Sequence, residues 1–228
     1  SVIILRCKVK YFIFVKPKKT NKIYIFINML KIIKIGGGII DNEQELEQFL
    51  QTFSTIDGPK VLIHGGGKGA SKMLNQLGIE PKMVEGRRIT DQPTLDVVTG
   101  LYAGNINKTI VAKLQKLGCN ALGLSGADAN AIKGSKRPVK TIDYGFVGDL
   151  TDESVNRDFF QLLIDNNITP VVCAITHDGN GQLLNTNADT IASTIAVAMS
   201  QNNEVELNFC FDKIGVLRDV NDDATLIP

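Results

Sequence analysis

The stretch KIIKIGGGII, residues 31–40, is an apolar run that ends in three glycines, and VLIHGGGKGA, residues 61–70, repeats the arrangement. Short runs rich in isoleucine and valine and bounded by glycine are typical of buried strands. We therefore predict two strands of one sheet, each followed by a glycine turn that leads into a helix.

Strand-like and helix-like segments alternate over most of the chain. Residues 43–53, for example, carry apolar side chains at the i, i+3, i+4, i+7 spacing of an amphipathic helix. The other predicted elements are strands at 30–35, 60–63, 120–124, 168–173 and 205–211, a helix ending near 77, one long or broken helix over 93–117, and helices at 154–166 and 188–199. Turn residues in 131–149 and 174–184 predict hairpins. The alternation predicts an α/β fold whose mainly parallel sheet is covered on both faces.

Composition excludes several classes of protein. The chain has 228 residues, 43% of them hydrophobic, with four widely spaced cysteines, no CxxC pair and two histidines. This predicts a protein of a reducing compartment, taken as the cytoplasm, and excludes a histidine-rich metal site. Seven of the 25 basic residues lie in residues 1–28, and the remaining 18 face 24 acidic residues. No basic face for nucleic acid is therefore expected.

Residues 1–28 have an unusual composition, in which lysines cut short apolar pieces. No piece approaches the ~18 apolar residues of a membrane span, and no small-residue cleavage site follows a continuous apolar core. We predict neither a signal peptide nor a membrane anchor. Because a well-formed strand follows Met29 at once, we expect a non-native or disordered leader, with an authentic N-terminal strand as the alternative.

Glycine turns after parallel strands are suited to binding anions. Ligands gather beyond the carboxyl ends of such strands, where helices begin and free N–H groups favour negative charge. Glycine lets the backbone turn with positive φ and lets a phosphate oxygen approach closely. HGGGKGAS lacks the Walker A spacing, and no acidic residue ends the next strand as a dinucleotide fold requires. The two triplets therefore predict an anion site of another kind.

Two further segments present polar side chains. GRRIT, residues 86–90, contains Arg88, whose guanidinium can clamp a carboxylate in a bidentate fork. LLNTNADTIAS, residues 183–193, brings Asn187 and Asp189 to the start of a helix. Asn187 can act there as a plain N-cap, with Asp189 as an acid in the first turn.

Taken together in their order and spacing, seven motifs resemble those of the N-acetylglutamate kinases in the amino acid kinase superfamily: KIIKIGGGII, VLIHGGGKGAS, EGRRIT, LYAGNINKTIVAKL, LGLSGADAN, PVVCAI and LLNTNADTIAS. The resemblance implies a three-layer αβα sandwich in a single domain at 29–228. It implies an acyl-amino-acid-binding half at about 29–180 and the start of an ATP-binding half at about 181–228. It also implies a homodimer and a step of arginine biosynthesis.

The resemblance implies a role for each matching residue. Lys34 would steady the γ-phosphoryl group in transit, and Asp189 would orient the catalytic lysines. Phosphate binding is implied for Gly36, Gly37 and Gly66, substrate binding for Gly66, Gly67, Arg88 and Asn185, and nucleotide binding for Asp212, Lys213, Gly215, Val216 and Leu217.

The implied reaction is ATP-dependent phosphorylation of the γ-carboxylate of N-acetyl-L-glutamate. No general base is needed, because a glutamate carboxyl group ordinarily has a pKa of about 4.3 and is already ionised near neutral pH. The protein has to align two anions and neutralise their charge. We expect Mg2+ to be held mainly by ATP phosphates and water, without a protein metal site.

Two alternatives stay open. One is N-succinyl-L-glutamate as the substrate, and the other is a non-catalytic sensor of amino acids or nucleotides on the same fold. The resembled kinases continue with a second catalytic lysine in a later helix, which matches nothing up to Pro228. We therefore expect a C-terminally truncated sequence.

Overall fold

The structure, a computed structural model, describes residues 29–84 and 87–211 together with the backbone of 12–14. Its strands are β1 (Phe12–Phe14), β2 (Leu30–Ile35), β3 (Lys60–His64), β4 (Met83–Val84), β5 (Arg87–Arg88), β6 (Ala121–Leu124), β7 (Ser135–Lys136), β8 (Val147–Asp149), β9 (Thr169–Cys173), β10 (Ile175–His177), β11 (Leu183–Thr186) and β12 (Val205–Cys210). Within this part of the chain, six strands form the central sheet in the order β1, β12, β2, β3, β9, β6. All neighbours in it are parallel except β1, which runs antiparallel to β12. The predicted parallel sheet is thus confirmed.

The helices cover both faces of this sheet. They are α1 (Gly37–Asp41), α2 (Glu43–Ser54), α3 (Gly69–Gln76), α4 (Gln92–Thr99), α5 (Asn107–Lys116), α6 (Arg157–Asp165) and α7 (Ala188–Met199), with a π-helical segment at Gly100–Ile106 and a 3-10 turn at Asp128–Asn130. No helix in the described ranges is both long and apolar enough to cross a bilayer.

Two contacts show that α5 and α7 lie on opposite faces. Lys34 on β2 pairs with Asp189 at the start of α7. His64 on β3 contacts Asn107 at the start of α5. The register of the two strands aligns His64 with Ile35, the neighbour of Lys34. Since successive side chains of a strand point to opposite faces, the two helices form separate layers and the sandwich has three layers.

Burial on both faces explains the strand sequences. Every side chain of β3 and β9 is buried, and so are the isoleucines of β2. A strand covered on both sides reads as a continuous apolar run rather than an alternating one. Lys31 and Lys34 interrupt the run in β2, and burial in the core does not explain either of them.

Side-chain caps set the starts of two helices. Asn42 accepts hydrogen bonds from the N–H groups of Gln44 and Glu45 and so begins α2. The helix predicted from residue 154 begins three residues later, because Asn156 accepts from the N–H of Phe159 and caps α6. The preceding Ser154 closes a turn with Thr151 instead.

The long or broken helix predicted over 93–117 is three successive segments. Asp91 caps α4 by accepting from the N–H of Thr94. The π-helical segment Gly100–Ile106 then follows without a break in helical backbone, and α5 continues from Asn107. A π-helical insertion widens the helix locally and occurs frequently at functional sites.

Short strands build a second sheet beside the carboxyl ends of the central strands. In the described residues its order is β10, β11, β8, β7, with β11 and β8 parallel and the outer pairs antiparallel. These strands come from the turn-rich stretches 131–149 and 174–184 and the segment after the latter. The short hairpin of β4 and β5 carries Arg88.

The backbone of Phe12–Phe14 forms the edge strand β1. The assignment of 1–28 as a leader, and the division of 29–228 into halves, stay predictions.

Candidate active site

A cleft of about 410 Å³ opens where the central strands end. Seven residues to which the family resemblance assigns a role line it: Lys34, Gly37, Gly66, Gly67, Arg88, Asn185 and Asp189. The lining also includes Arg87 and Tyr102. Its described basic side chains are Lys34, Arg87 and Arg88, against the single carboxylate of Asp189, so the cleft suits an anionic ligand.

The two glycine segments touch each other in this cleft. A Cβ added to Gly37 would lie 2.6 Å from the Cα of Gly67, and Gly67 itself has a φ of +55°. A Cβ on Gly66 would overlap the ring of Tyr102. Glycine is therefore required at all three positions by close approach, and at Gly67 also by its left-handed backbone.

Asp41, at the end of α1, joins the first segment to the second. Its carboxylate accepts hydrogen bonds from the N–H of Lys68 at 2.8 Å and of Gly69 at 3.3 Å. Asp41 therefore occupies the N–H groups of Lys68 and Gly69 at the start of α3, and anion binding by the glycine segments stays a prediction. Among the described residues no acceptor receives the N–H of Gly66 or Gly67.

Lys34 and Asp189 form an ion pair across the cleft. The Nζ atom lies 2.7 Å from Oδ1 of Asp189, and the Lys34 side chain is 16% exposed. Asp189 stands in the first turn of α7, where Asn187 caps the helix by accepting from the N–H of Thr190. The cap and the ion pair coexist, so the predicted N-cap function of Asn187 is confirmed while Asp189 points to the lysine.

Arg88 presents a free donor. Its Nη2 donates to Ser71 Oγ at 2.9 Å, whereas Nη1 is buried without a hydrogen-bond partner in the described structure. A buried guanidinium hydrogen without an acceptor is costly, and an anionic oxygen would satisfy it. Tyr102 lies nearby: burial raises the pKa of its hydroxyl, and the positive charge of Arg88 partly offsets this.

Asn185 is held by the loop that carries Arg88. Its Nδ2 donates to Thr90 Oγ1 at 3.0 Å, and Thr90 Oγ1 donates to the carbonyl of Arg88 at 3.2 Å. Thr90 is fully buried. This chain of bonds fixes the separation of Asn185 and Arg88, the two residues expected to bind one substrate.

Other predicted residues are placed differently or not described. The N–H of Gly36 donates to the carbonyl of Cys210 at 2.7 Å, and its role in phosphate binding stays a prediction. The nucleotide-binding residues predicted from Asp212 to Leu217 lie outside the described residues. No group of three or more His, Cys, Asp or Glu side chains that could hold a metal ion occurs within the described ranges.

Three residues of the site were missed in the sequence: Asp41, Thr90 and Tyr102. Thr90 belongs to the GRRIT motif and could have been included with Arg88. Tyr102 lies in the segment predicted as one long or broken helix, and two glycines close to it, Gly100 and Gly104, were the available sign of irregularity. Nothing in the sequence indicates that Asp41 reaches across to α3.

Comparison with known proteins shows the family of the chain. Residues 29–228 match the model of the amino acid kinase family. The chain is 56% identical over 199 residues to the acetylglutamate kinase of Phocaeicola vulgatus, a match that covers 87% of this chain and 77% of the relative. It is 37% identical over 202 residues to the acetylglutamate kinase of Methanopyrus kandleri, with the same two coverages.

Solved structures agree on the fold. The N-acetylglutamate synthase of Neisseria gonorrhoeae, complexed with coenzyme A and N-acetyl-glutamate, superimposes with a TM-score of 0.65 at 17% identity, over 77% of this chain and 40% of that one. The protein smu.665 of Streptococcus mutans UA159 gives 0.62 at 24% identity, over 75% and 69%. The match of residues 29–228 to the family model, with 56% identity to a curated member over most of the chain, establishes that the chain belongs to the amino acid kinase family.

Proposed function

We propose that the protein catalyses ATP-dependent phosphorylation of the γ-carboxylate of N-acetyl-L-glutamate, a step of arginine biosynthesis. The identity to acetylglutamate kinases over most of the chain supports this. The observation that carries it is one cleft that is lined both by the Lys34–Asp189 ion pair and by Arg88, whose buried Nη1 has no hydrogen-bond partner among the described residues. One end of the cleft is suited to a transferring phosphoryl group and the other to a carboxylate.

Acceptor binding is assigned to Arg88 and Asn185. The Nη1 hydrogens of Arg88 would take the α-carboxylate of the substrate, because a guanidinium and a carboxylate form short, charge-assisted hydrogen bonds. Asn185 keeps one side-chain hydrogen on Thr90. Its remaining amide groups would meet the acylamino group, which has one donor and one acceptor to offer.

Phosphoryl transfer itself requires charge neutralisation rather than proton transfer. A γ-carboxylate oxygen attacks the γ-phosphorus of ATP, the bond from that phosphorus to the ADP oxygen breaks, and the products are an acyl phosphate and ADP. Lys34 and the N–H groups of Gly66 and Gly67 would stabilise charge on the equatorial oxygens. Asp189, ion-paired with Lys34, acts as its orienting group and not as a base.

Mg2+ would supply further neutralisation of the ATP phosphates. In the described lining of the cleft, Asp189 is the single carboxylate and it is engaged by Lys34. This donor set fits an ion held mainly by phosphate oxygens and water, as Mg2+ commonly is.

The proposal also includes the location and the assembly of the protein. Cys119, Cys173 and Cys210 are buried thiols, which is in keeping with a reducing, cytoplasmic compartment. A homodimer is implied by the family resemblance, and light scattering of the purified protein would test it.

A panel of acceptors tests the reaction. We expect ATP-dependent ADP release with N-acetyl-L-glutamate and none above background with free glutamate, because free glutamate offers Asn185 no acylamino group. N-succinyl-L-glutamate is the third acceptor, and a higher kcat/KM for it would replace the acetyl substrate by the succinyl one. Calorimetric binding of an acyl-glutamate without turnover of any acceptor would contradict the kinase and favour a sensor.

A further inference from the structure

His64 is the last residue of β3 and stands directly before the second glycine triplet. Its side chain is fully buried on the α5 face of the sheet. Among the described residues each ring nitrogen has one hydrogen-bonding partner: Nδ1 lies 2.8 Å from the carbonyl oxygen of Gly65, and Nε2 lies 3.0 Å from Nδ2 of Asn107. None of the roles assigned above uses this histidine.

The surroundings of Asn107 determine which nitrogen of His64 carries the proton. Asn107 Nδ2 lies 2.9 Å from the carbonyl oxygen of Val171, which can only accept, so the NH2 group is on this side. Its Oδ1 accepts from Lys108 Nζ at 3.2 Å. The second Nδ2 hydrogen therefore donates to Nε2 of His64, which must be an unprotonated acceptor.

The proton of His64 consequently lies on Nδ1, where it is donated to the carbonyl of Gly65. The pKa of His64 is lowered to about 4: burial is the largest cause, the hydrogen bond to Gly65 opposes it, and the charge of Lys108 adds to the lowering. The imidazole is thus neutral at physiological pH. In the imidazolium form, the added proton on Nε2 would also clash with the amide hydrogen of Asn107.

This bond to Gly65 determines the direction of the next N–H group. The carbonyl of Gly65 and the N–H of Gly66 belong to one peptide unit, and the described residues contain no cis peptide bond. In a trans peptide the two groups point in opposite directions. Because the Gly65 carbonyl points to His64, the Gly66 N–H points away from it, and Gly66 lines the cleft.

We propose that the Nδ1–H tautomer of His64 is a positioning group for phosphoryl transfer, which holds the Gly65 carbonyl and thereby aims the Gly66 N–H into the cleft. Asn107 acts through His64, because its hydrogen bond to Nε2 selects the tautomer of the imidazole. The inference rests on the proposed kinase activity. A hydrogen-bond donor that is already oriented before the reaction stabilises developing charge without reorganisation. The bond from His64 to Gly65 would therefore raise the rate of phosphoryl transfer as well as stabilise the fold.

Two substitutions separate this role from packing. In His64→Asn the side-chain NH2 can take the place of Nδ1 and still donate to Gly65, while the bond with Asn107 is lost. In His64→Gln the amide lies where Nε2 was, so it can bond Asn107 but leaves the Gly65 carbonyl unheld. His64→Asn thus keeps the proposed positioning bond to Gly65, whereas His64→Gln keeps more of the side-chain packing.

Activity and stability are therefore expected to rank the variants in opposite orders. We expect kcat with N-acetyl-L-glutamate to fall by about tenfold or more in His64→Gln and to stay within about threefold in His64→Asn, with smaller changes in KM. Thermal unfolding is expected to show His64→Gln to be at least as stable as His64→Asn. Activity that follows stability, or equal kcat in both variants, would overturn the inference.

A spectroscopic measurement tests the tautomer independently of activity and of the variants. Nitrogen-15 NMR of the unsubstituted protein at pH 7 is expected to show one histidine with a protonated Nδ1 and an unprotonated Nε2. Assignment of His64 as the Nε2–H tautomer or as an imidazolium would also overturn the inference. Absence of turnover by the unsubstituted protein would count against the kinase, and the NMR result would still decide the tautomer.

Discussion

Lys34 and Asp189 show what a single residue can and cannot reveal in a sequence. A lysine inside an isoleucine run is unexpected for a buried strand, and an aspartate after Asn187 is unremarkable at the start of a helix. Their 2.7 Å contact depends on β2 and α7 being packed together, which involves segments far apart in the chain. Residue type therefore indicated the candidates, and the fold was needed to pair them.

The lowered pKa of His64 leads to a prediction of how the free energy of unfolding depends on pH. Its pKa is about 4 in the folded protein, whereas an unfolded histidine has a pKa of about 6.5. As the pH falls, the unfolded chain binds a proton before the folded one does, so the free energy of unfolding decreases between about pH 6.5 and 4. The loss due to His64 is roughly 3 kcal/mol below about pH 4, and above about pH 6.5 there is none.

Urea denaturation between about pH 4 and 7.5 measures this effect. His64→Asn removes the titrating group, so the difference in unfolding free energy between this variant and the unsubstituted protein should change over that interval. His177→Asn is the matched control, since it removes the other histidine of the chain. Parallel pH profiles for His64→Asn and the unsubstituted protein would show that the buried imidazole is not the cause.

At the scale of elements, the amphipathic and fully buried segments were the predictable ones. The bounds of β2 and α7 agree with the sequence pattern, because both have unbroken apolar faces and clear turn residues beyond them. The start of α6 was predicted too early, since Ser154 was read as helical although Asn156 provides the cap. The π-helical segment has no separate hydrophobic signal, because its buried residues extend the stripe of α4.

The contact of Asp41 with the start of α3 yields a prediction for the two glycine segments. Asp41→Ala removes the acceptor of the Lys68 and Gly69 N–H groups, and we expect the free energy of unfolding to fall by about 1 kcal/mol. Asp41→Asn keeps one side-chain oxygen and should lose less. Chemical denaturation measures both variants, and Asp152→Ala, at an exposed carboxylate, is the control. A loss no larger than that of the control would show that the contact does not stabilise α3.

At the scale of the whole molecule, the alternation of strands and helices was sufficient to predict a covered parallel sheet. It was not sufficient to predict strand order, because neighbouring strands such as β3 and β9 come from distant parts of the chain. The position of the cleft follows from this order: β2 and β3 are adjacent and parallel, so both glycine segments emerge at the same edge. The repeated triplet in the sequence thus corresponds to two segments that touch in space.

The most direct test of the central claim is formation of the acyl phosphate itself. The purified protein, ATP, Mg2+ and N-acetyl-L-glutamate would be incubated with hydroxylamine, which converts an acyl phosphate into a hydroxamate. Ferric ion added afterwards forms a coloured complex with the hydroxamate. We predict ATP-dependent hydroxamate formation that falls by about a hundredfold or more in Lys34→Ala. Lys31→Ala, which removes a lysine of the same strand that donates instead to the carbonyl of Asp57, should retain it. Hydroxamate formation by Lys34→Ala at the rate of the unsubstituted protein would contradict the account.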